Sequence, residues 1–234
     1  MRKVLNFGCS HTAGAEIDEP WNGNRFDLAY GSILSKMLGC NIEQTAGNGW
    51  SNQWIQKNAF NVCLEYLDKK SKPLIVIGWT SIERVPLQFA GQQTVYHSTV
   101  HLPPEPKYYP VPNYAKIHNA VYGSYVNKPD AHEMGVLNIL TFQSWLKEHN
   151  FPFLFFWAVN SVSPPVLEKY KNCFDPVRFY EPLDHTNSYW MYYQEKFWDK
   201  SERWKKHAPA EFHKHWAEKL YFYICKHKLL DTNV

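Results

Sequence analysis

Near the start of the chain, "LNFGCSHTAG" (Leu5 to Gly14) runs from an apolar, strand-like stretch straight into Gly8, Cys9, Ser10 and His11. A serine placed where a strand ends and a helix begins has the exposure and the neighbouring N–H groups that an acyl-transfer nucleophile needs. That chemistry also requires a base and donors for the developing oxyanion. His207, immediately before the last helical pattern, lies in a loop that can return over the sheet edge and act as the base. Gly49, between Asn48 and Trp50, can offer an unobstructed backbone N–H, and Thr80, just after a strand pattern, can offer a hydroxyl or an N–H. His11, Asn52 and Arg84 fall in the same set of loops and are candidate substrate contacts. Each has a structural reading beside it. His11 suits a turn cap, Ser51 and Asn52 suit a helix cap, and Arg84 either receives an anion or ties down a loop. Cys9 competes with Ser10 on chemistry alone, but alternation along the strand turns it away and makes it a buried, inert thiol.

The elements that would position these residues alternate. "KVLNF" reads as a first strand, and the apolar positions from Phe26 to Leu38 as a helix stopped by Gly39. "CNIEQTAG" reads as a short strand, followed by a helix capped by Ser51 with Ile55, Ala59, Val62, Cys63 and Tyr66 on one face. "PLIVIGW" is a continuous apolar run of the kind buried on both sides of a parallel sheet. Residues 85–130, rich in Pro, Tyr and His without a period, read as an insertion of loops and short elements. A helix from about Ala131 to Glu148, the strand "FPFLFFWAV" and a short fifth strand in "VRFYEP" resume the pattern. "PAEFHKHWAEKLYFYICKH" closes it as a helix with Phe212, Trp216, Leu220, Tyr223 and Ile224 inward. Strand–helix alternation implies an α/β chain with a mostly parallel sheet, whose ligands gather at the carboxyl ends of the strands. Ser10, Gly49, Thr80 and the loop from Asn160 all belong to that edge.

Composition excludes several classes. Twenty-five basic and 22 acidic residues in 234 leave a formal charge of only +3, which calls for neither a nucleic acid nor a membrane surface. The five cysteines lack metal or disulfide spacing, which points to a reducing, cytoplasmic setting. His213 and His215 lie two apart on the last helix and face different ways, so no metal site is expected; His213 should pack at the helix start and His215 face solvent. Aromatic residues make up 17% of the chain, enough to line a sugar site or to cover the core beneath long loops, the second being the simpler reading.

Four blocks, "FGCSHTAG", "AGNGWSN", "VIGWTSIER" and "HAPAEFHKHWAEKL", stand in the order and spacing of the SGNH/GDSL hydrolase superfamily. The chain resembles most closely the small SGNH-like proteins encoded by tailed bacteriophages, over most of its length except 85–130 and 160–200. The resemblance implies one flavodoxin-like domain over 1–234, a three-layer α/β/α sandwich around a mostly parallel five-stranded sheet. It also implies hydrolysis of an ester or acyl group through a serine, with no metal and no cofactor. Carried over by position, Ser10 matches the nucleophile and His207 the base. The N–H groups of Ser10 and Gly49 match oxyanion donors, and Thr80 stands where the superfamily usually has asparagine. Trp204 occupies the usual place of the aspartate that orients the histidine. Asp199, Glu202 or a backbone carbonyl is left for that task, unless Ser10 and His207 act as a dyad. The expected partner is a small-molecule or glycan ester, and the expected setting is a host-cell cytoplasm, with virion association left open. A binding protein on the same scaffold, without catalysis, is the alternative; the oligomeric state is not legible.

Overall fold

The computed structural model describes residues 2–17, 25–88, 95–98, 129–197 and 207–230. Four parallel strands form the main sheet: β1 (Lys3–Gly8), β2 (Asn41–Ala46), β3 (Leu74–Trp79) and β6 (Phe153–Trp157), in the order β2-β1-β3-β6. Lys3 pairs with Asn41 and Gly8 with Ala46 on one side of β1; Val4 pairs with Leu74 and Gly8 with Gly78 on the other. This register ends the strands together and gives one common carboxyl edge. Because β1 leads first to β2 on one side and then to β3 on the other, the connections diverge there, opening the crevice in which such sheets bind ligands.

The helices are α1 (Ser10–Ala13), α2 (Tyr30–Met37), α3 (Asn52–Leu64), α4 (Pro129–Glu148), α5 (Pro164–Tyr170), α6 (Tyr189–Lys196) and α7 (Ala210–Lys226). Helices α2 and α7 pack together, as do α3 and α4. Strand β6 shows how the two faces are filled: Phe156 meets Tyr30 and Trp216 of α2 and α7, while its neighbour Phe155 meets Phe142 of α4. Both phenylalanines are fully buried, and each stabilises the fold by about 2 kcal/mol through the surface it removes from water. The result is a three-layer α/β/α sandwich, as the alternating pattern predicts.

Several expectations are refined. The fifth strand is reduced to one parallel bridge, Phe155 with Phe179; Pro176 and Pro182 flank that segment and limit its pairing. Helix α2 begins at Tyr30 rather than Phe26, and Gly31, Ser32 and Ser35 join Leu34 on its buried face while Met37 is exposed. Small residues win there because the helix start presses on the sheet: a Cβ on Gly31 would lie 2.1 Å from Asn6 Nδ2. Ser51 caps α3 by accepting from the Trp54 N–H at 3.4 Å. His213 is buried as expected, but His215 does not face solvent; it stacks on Tyr192 and pairs with its hydroxyl at 3.1 Å. The segment 85–130 contains the antiparallel hairpin of β4 (Val85–Gln88) and β5 (Val95–Ser98); its remaining residues between 89 and 128 lie outside those described. The aromatics that follow β6 cover the core, with Phe179, Tyr189 and Tyr193 buried. All five cysteines are free, and Cys9 is fully buried. Among the described residues, no helix is long and apolar enough to cross a membrane, and no cluster of His, Cys, Asp or Glu could hold a metal.

Candidate active site

The site is built around the sharp exit from β1. Gly8 ends the strand and α1 starts two residues later, folding back so closely that a Cβ on Gly8 would lie 1.9 Å from Thr12 Oγ1. No larger residue fits there without moving α1. Cys9 caps the helix through its carbonyl, which accepts from the N–H groups of Thr12 and Ala13 at 3.0 Å each. Ser10 is the first residue of α1, so the helix leaves its N–H without an acceptor. The Ser10 hydroxyl has no hydrogen-bond partner among the described residues, and the residue is 5% exposed.

A polar network fixes α1 from beneath. The Tyr30 hydroxyl pairs with Thr12 Oγ1 at 2.9 Å and with Asn6 Oδ1 at 3.3 Å, while Asn6 Nδ2 donates to Gln44 Oε1 at 2.9 Å. The Tyr30 N–H donates to His213 Nδ1 at 3.2 Å, which makes Nε2 the protonated ring nitrogen facing the Tyr189 hydroxyl at 3.0 Å. Burial, with His207 nearby as a second cause, pushes the His213 imidazole down to about 3, so it is neutral. His213 is therefore a structural pin.

The four loops of the carboxyl edge bring the remaining candidates in. His11 is buried, its ring packed against Tyr189 at 5.2 Å, Trp190 at 5.3 Å and His207 at 5.0 Å. Burial first, then electrostatic repulsion toward a protonated ring from the neighbouring His207, Arg84 and His213, holds His11 well below the usual histidine range. It neither caps the turn nor titrates near neutrality, and its Nδ1 is buried without a partner among the described residues. The His207 ring thus stands beside the residue that follows Ser10. Its Nδ1 lies 2.8 Å from Oε2 of Glu16, close enough for an ion pair though not aligned as a hydrogen bond, with both side chains mostly buried at 17% and 14% exposure.

Gly49 adopts a left-handed backbone, φ 75°, and its N–H has no acceptor among the described residues. Such a turn favours glycine and leaves the amide uncovered. Thr80 differs from the expectation of a simple donor. Its N–H donates to Asn52 Oδ1 at 2.8 Å and its carbonyl accepts from Asn52 Nδ2 at 2.9 Å. Only the hydroxyl of Thr80 remains, fully buried and without a partner among the described residues. Asn52, expected among the substrate contacts, instead clamps the start of α3 to the end of β3. Arg84 bridges the second and third loops by a long hydrogen bond to the Trp50 carbonyl, 3.4 Å, and has no carboxylate partner among the described residues. Asp199 and Glu202, the acids considered for His207, lie outside the described residues. The carboxylate that does meet His207 is Glu16, which the sequence reading did not single out. The acidic run Glu16, Asp18 and Glu19 directly after "FGCSHTAG" was the available signal.

Arranged this way, the edge holds a hydroxyl at a helix start, a histidine–carboxylate pair and uncovered N–H groups, the parts from which serine esterases are built. In fold the chain is similar to an acetyl xylan esterase from Butyrivibrio proteoclasticus, 13% identical, with a TM-score of 0.50 over 96% of this chain and 63% of that one. A lipolytic-type protein of the G-D-S-L family from Desulfitobacterium hafniense is 10% identical, with a TM-score of 0.46 over 95% and 99% of the two chains. A family-two carbohydrate esterase with a carbohydrate-binding domain, from Corynascus (Myceliophthora fergusii), is 12% identical, with a TM-score of 0.49 over 97% and 66%. At 13% identity the likeness to the Butyrivibrio esterase shows the fold alone, an α/β/α sandwich, and this chain spans less than two thirds of that esterase. The chain belongs to a family described as of unknown function, DUF6071, whose profile matches residues 15–180. That match takes in Glu16, Gly49, Asn52, Thr80 and Arg84 and stops short of Ser10 and His207 at either end. No curated protein matches the chain in sequence.

Proposed function

We propose that the protein is a serine esterase of the SGNH type, with Ser10 as nucleophile and His207 as base. The observation that carries the reading is the packing of His207 at 5.0 Å against His11, which brings the loop before the last helix to the residue beside Ser10. In the reaction His207 Nε2 takes the Ser10 hydroxyl proton as Oγ attacks the ester carbonyl, and the N–H groups of Ser10 and Gly49 hold the oxyanion. The Thr80 hydroxyl, buried and without a partner among the described residues, is the third donor in this reading. Collapse of the intermediate passes that proton from His207 to the departing alcohol, and water, deprotonated in turn by His207, releases the acid. Carbohydrate esters are the favoured substrates, because the solved protein of like fold acts on acetyl xylan. Trp50 and Trp190 are half-buried beside the edge and suit the apolar face of a sugar.

A specific observation favours a second reading, a binding protein on the same scaffold: no hydrogen bond joins Ser10 to His207. Covalent labelling by a fluorophosphonate, followed by intact mass, separates the two. One adduct on the wild type that disappears in Ser10→Ala and in His207→Ala is the expected result. A folded wild type that takes no adduct overturns the esterase reading in favour of binding.

A further inference from the structure

We infer that Glu16 is the positioning residue for His207, so that the nucleophile and the carboxylate come from one short segment, Ser10 to Glu16, and the base alone comes from the far end of the chain. The inference rests on the serine reading of the site. Three observations support it. Glu16 Oε2 lies 2.8 Å from Nδ1, the ring nitrogen opposite the one that would face Ser10. Both partners are withdrawn from solvent, at 17% and 14% exposure, where a charge pair is much less screened than on an open surface. Glu16 also holds a left-handed backbone, φ 59°, which is unfavourable for a residue with a Cβ and persists only where the surroundings impose it.

The path of the chain explains the strain. Gly14 turns the chain out of α1 at φ 68°, the N–H of Arg25 donates to the Gly14 carbonyl at 3.0 Å, and the N–H of Ala15 donates to the Ser10 carbonyl at 3.1 Å. Two left-handed residues within three positions bend the segment back toward the end of α1. That bend places the Glu16 carboxylate on the histidine, replacing the acid that His207 lacks three residues upstream, where Trp204 stands. Its task is to fix the ring so that Nε2 remains the unprotonated nitrogen, and to balance the imidazolium that forms when Ser10 loses its proton.

The strain supplies a test in which stability and labelling move in opposite directions. Glycine relieves a left-handed backbone, so Glu16→Gly should unfold at the wild-type temperature or above it, while the rate of fluorophosphonate labelling at Ser10 falls by roughly a hundredfold or more. Formate added to Glu16→Gly should recover part of that rate by supplying a carboxylate in the vacated space, and Glu16→Gln, which keeps the shape without the charge, should stay slow with or without it. Labelling of either variant at the wild-type rate overturns the proposal and leaves the serine reading intact. Slow labelling accompanied by a lower unfolding temperature in both variants, without recovery in formate, overturns it in favour of a structural ion pair. A wild type that does not label at all removes the serine reading and this proposal with it.

Discussion

Beneath α1, Asn6, Tyr30, Thr12, His213 and Tyr189 form a continuous set of hydrogen bonds in which each buried group meets another. Above it, at the carboxyl edge of the same strand, the Ser10 hydroxyl, the Gly49 N–H, the Thr80 hydroxyl and His11 Nδ1 have no partner among the described residues. The two zones are a few residues apart and obey opposite rules. The lower one satisfies its polar groups and sets a unique position for α1. The upper one leaves polar groups without a partner among the described residues. A buried polar group without a partner costs about 1–3 kcal/mol, so the upper zone is maintained at the expense of stability that the lower zone helps to supply.

Breaking one group in each zone should therefore have unequal consequences. His213→Leu removes the acceptor of the Tyr30 N–H and the partner of the Tyr189 hydroxyl in one step. With both left buried, the expected loss is about 3 kcal/mol in urea unfolding. Ser10→Ala should stay within about 0.5 kcal/mol of the wild type, because nothing in the fold depends on its hydroxyl. Equal losses from the two substitutions would abolish the distinction between the zones.

Acid should reveal the same contrast more gently. His213 is held at about 3 and His11 well below its ordinary value, both chiefly by burial, whereas both take up protons near 6.5 in the unfolded chain. Between those limits the unfolded state binds protons that the native state refuses. Stability is thus complete above about pH 6.5 and declines as the pH falls toward 4. The depressed carboxylates Asp175 and Asp184 add to the loss only at lower pH. In His213→Gln, which does not titrate, the slope between pH 6.5 and 4.5 should shrink, with His11 supplying what is left. Parallel slopes in the two proteins would show that His213 is charged in the native state after all.

The lower zone was hard to read in the sequence and the upper one easier, for a physical reason. Strand–helix alternation, the apolar run of β3 and the stripe on α7 are local patterns, so the sandwich and its carboxyl edge follow from neighbours in the chain. The positions of Ser10, Gly49 and Thr80 at that edge also follow, since each lies in the turn or loop after a strand. Tyr30 with His213, or Asn52 with Thr80, are pairings between side chains far apart in sequence, and no period announces them. Glu16 escaped for a related reason: an acid was sought in the loop that carries His207, whereas the bend after α1 delivers one from the loop that carries Ser10. Likewise His215 looked like a solvent-facing position on its own helix, until α6 laid Tyr192 over it.

Arg84 offers the finest division between the zones, because the sequence left it two roles that the structure weighs unequally. As an anchor for the loop after β3 it would need a partner whose loss is felt, and among the described residues it has the single hydrogen bond of 3.4 Å to the Trp50 carbonyl. As a receiver of an anion it needs a free guanidinium near the reacting centre, and its charge is close enough to help depress His11. Arg84→Gln should accordingly change stability by no more than about 0.5 kcal/mol, the range of ordinary surface substitutions. Its effect should appear instead in substrate choice, as a several-fold fall in the hydrolysis of a carboxylate-bearing ester relative to a neutral one. If unfolding shows a loss above about 1 kcal/mol while that ratio is unchanged, Arg84 belongs with the satisfied zone, holding the second and third loops together.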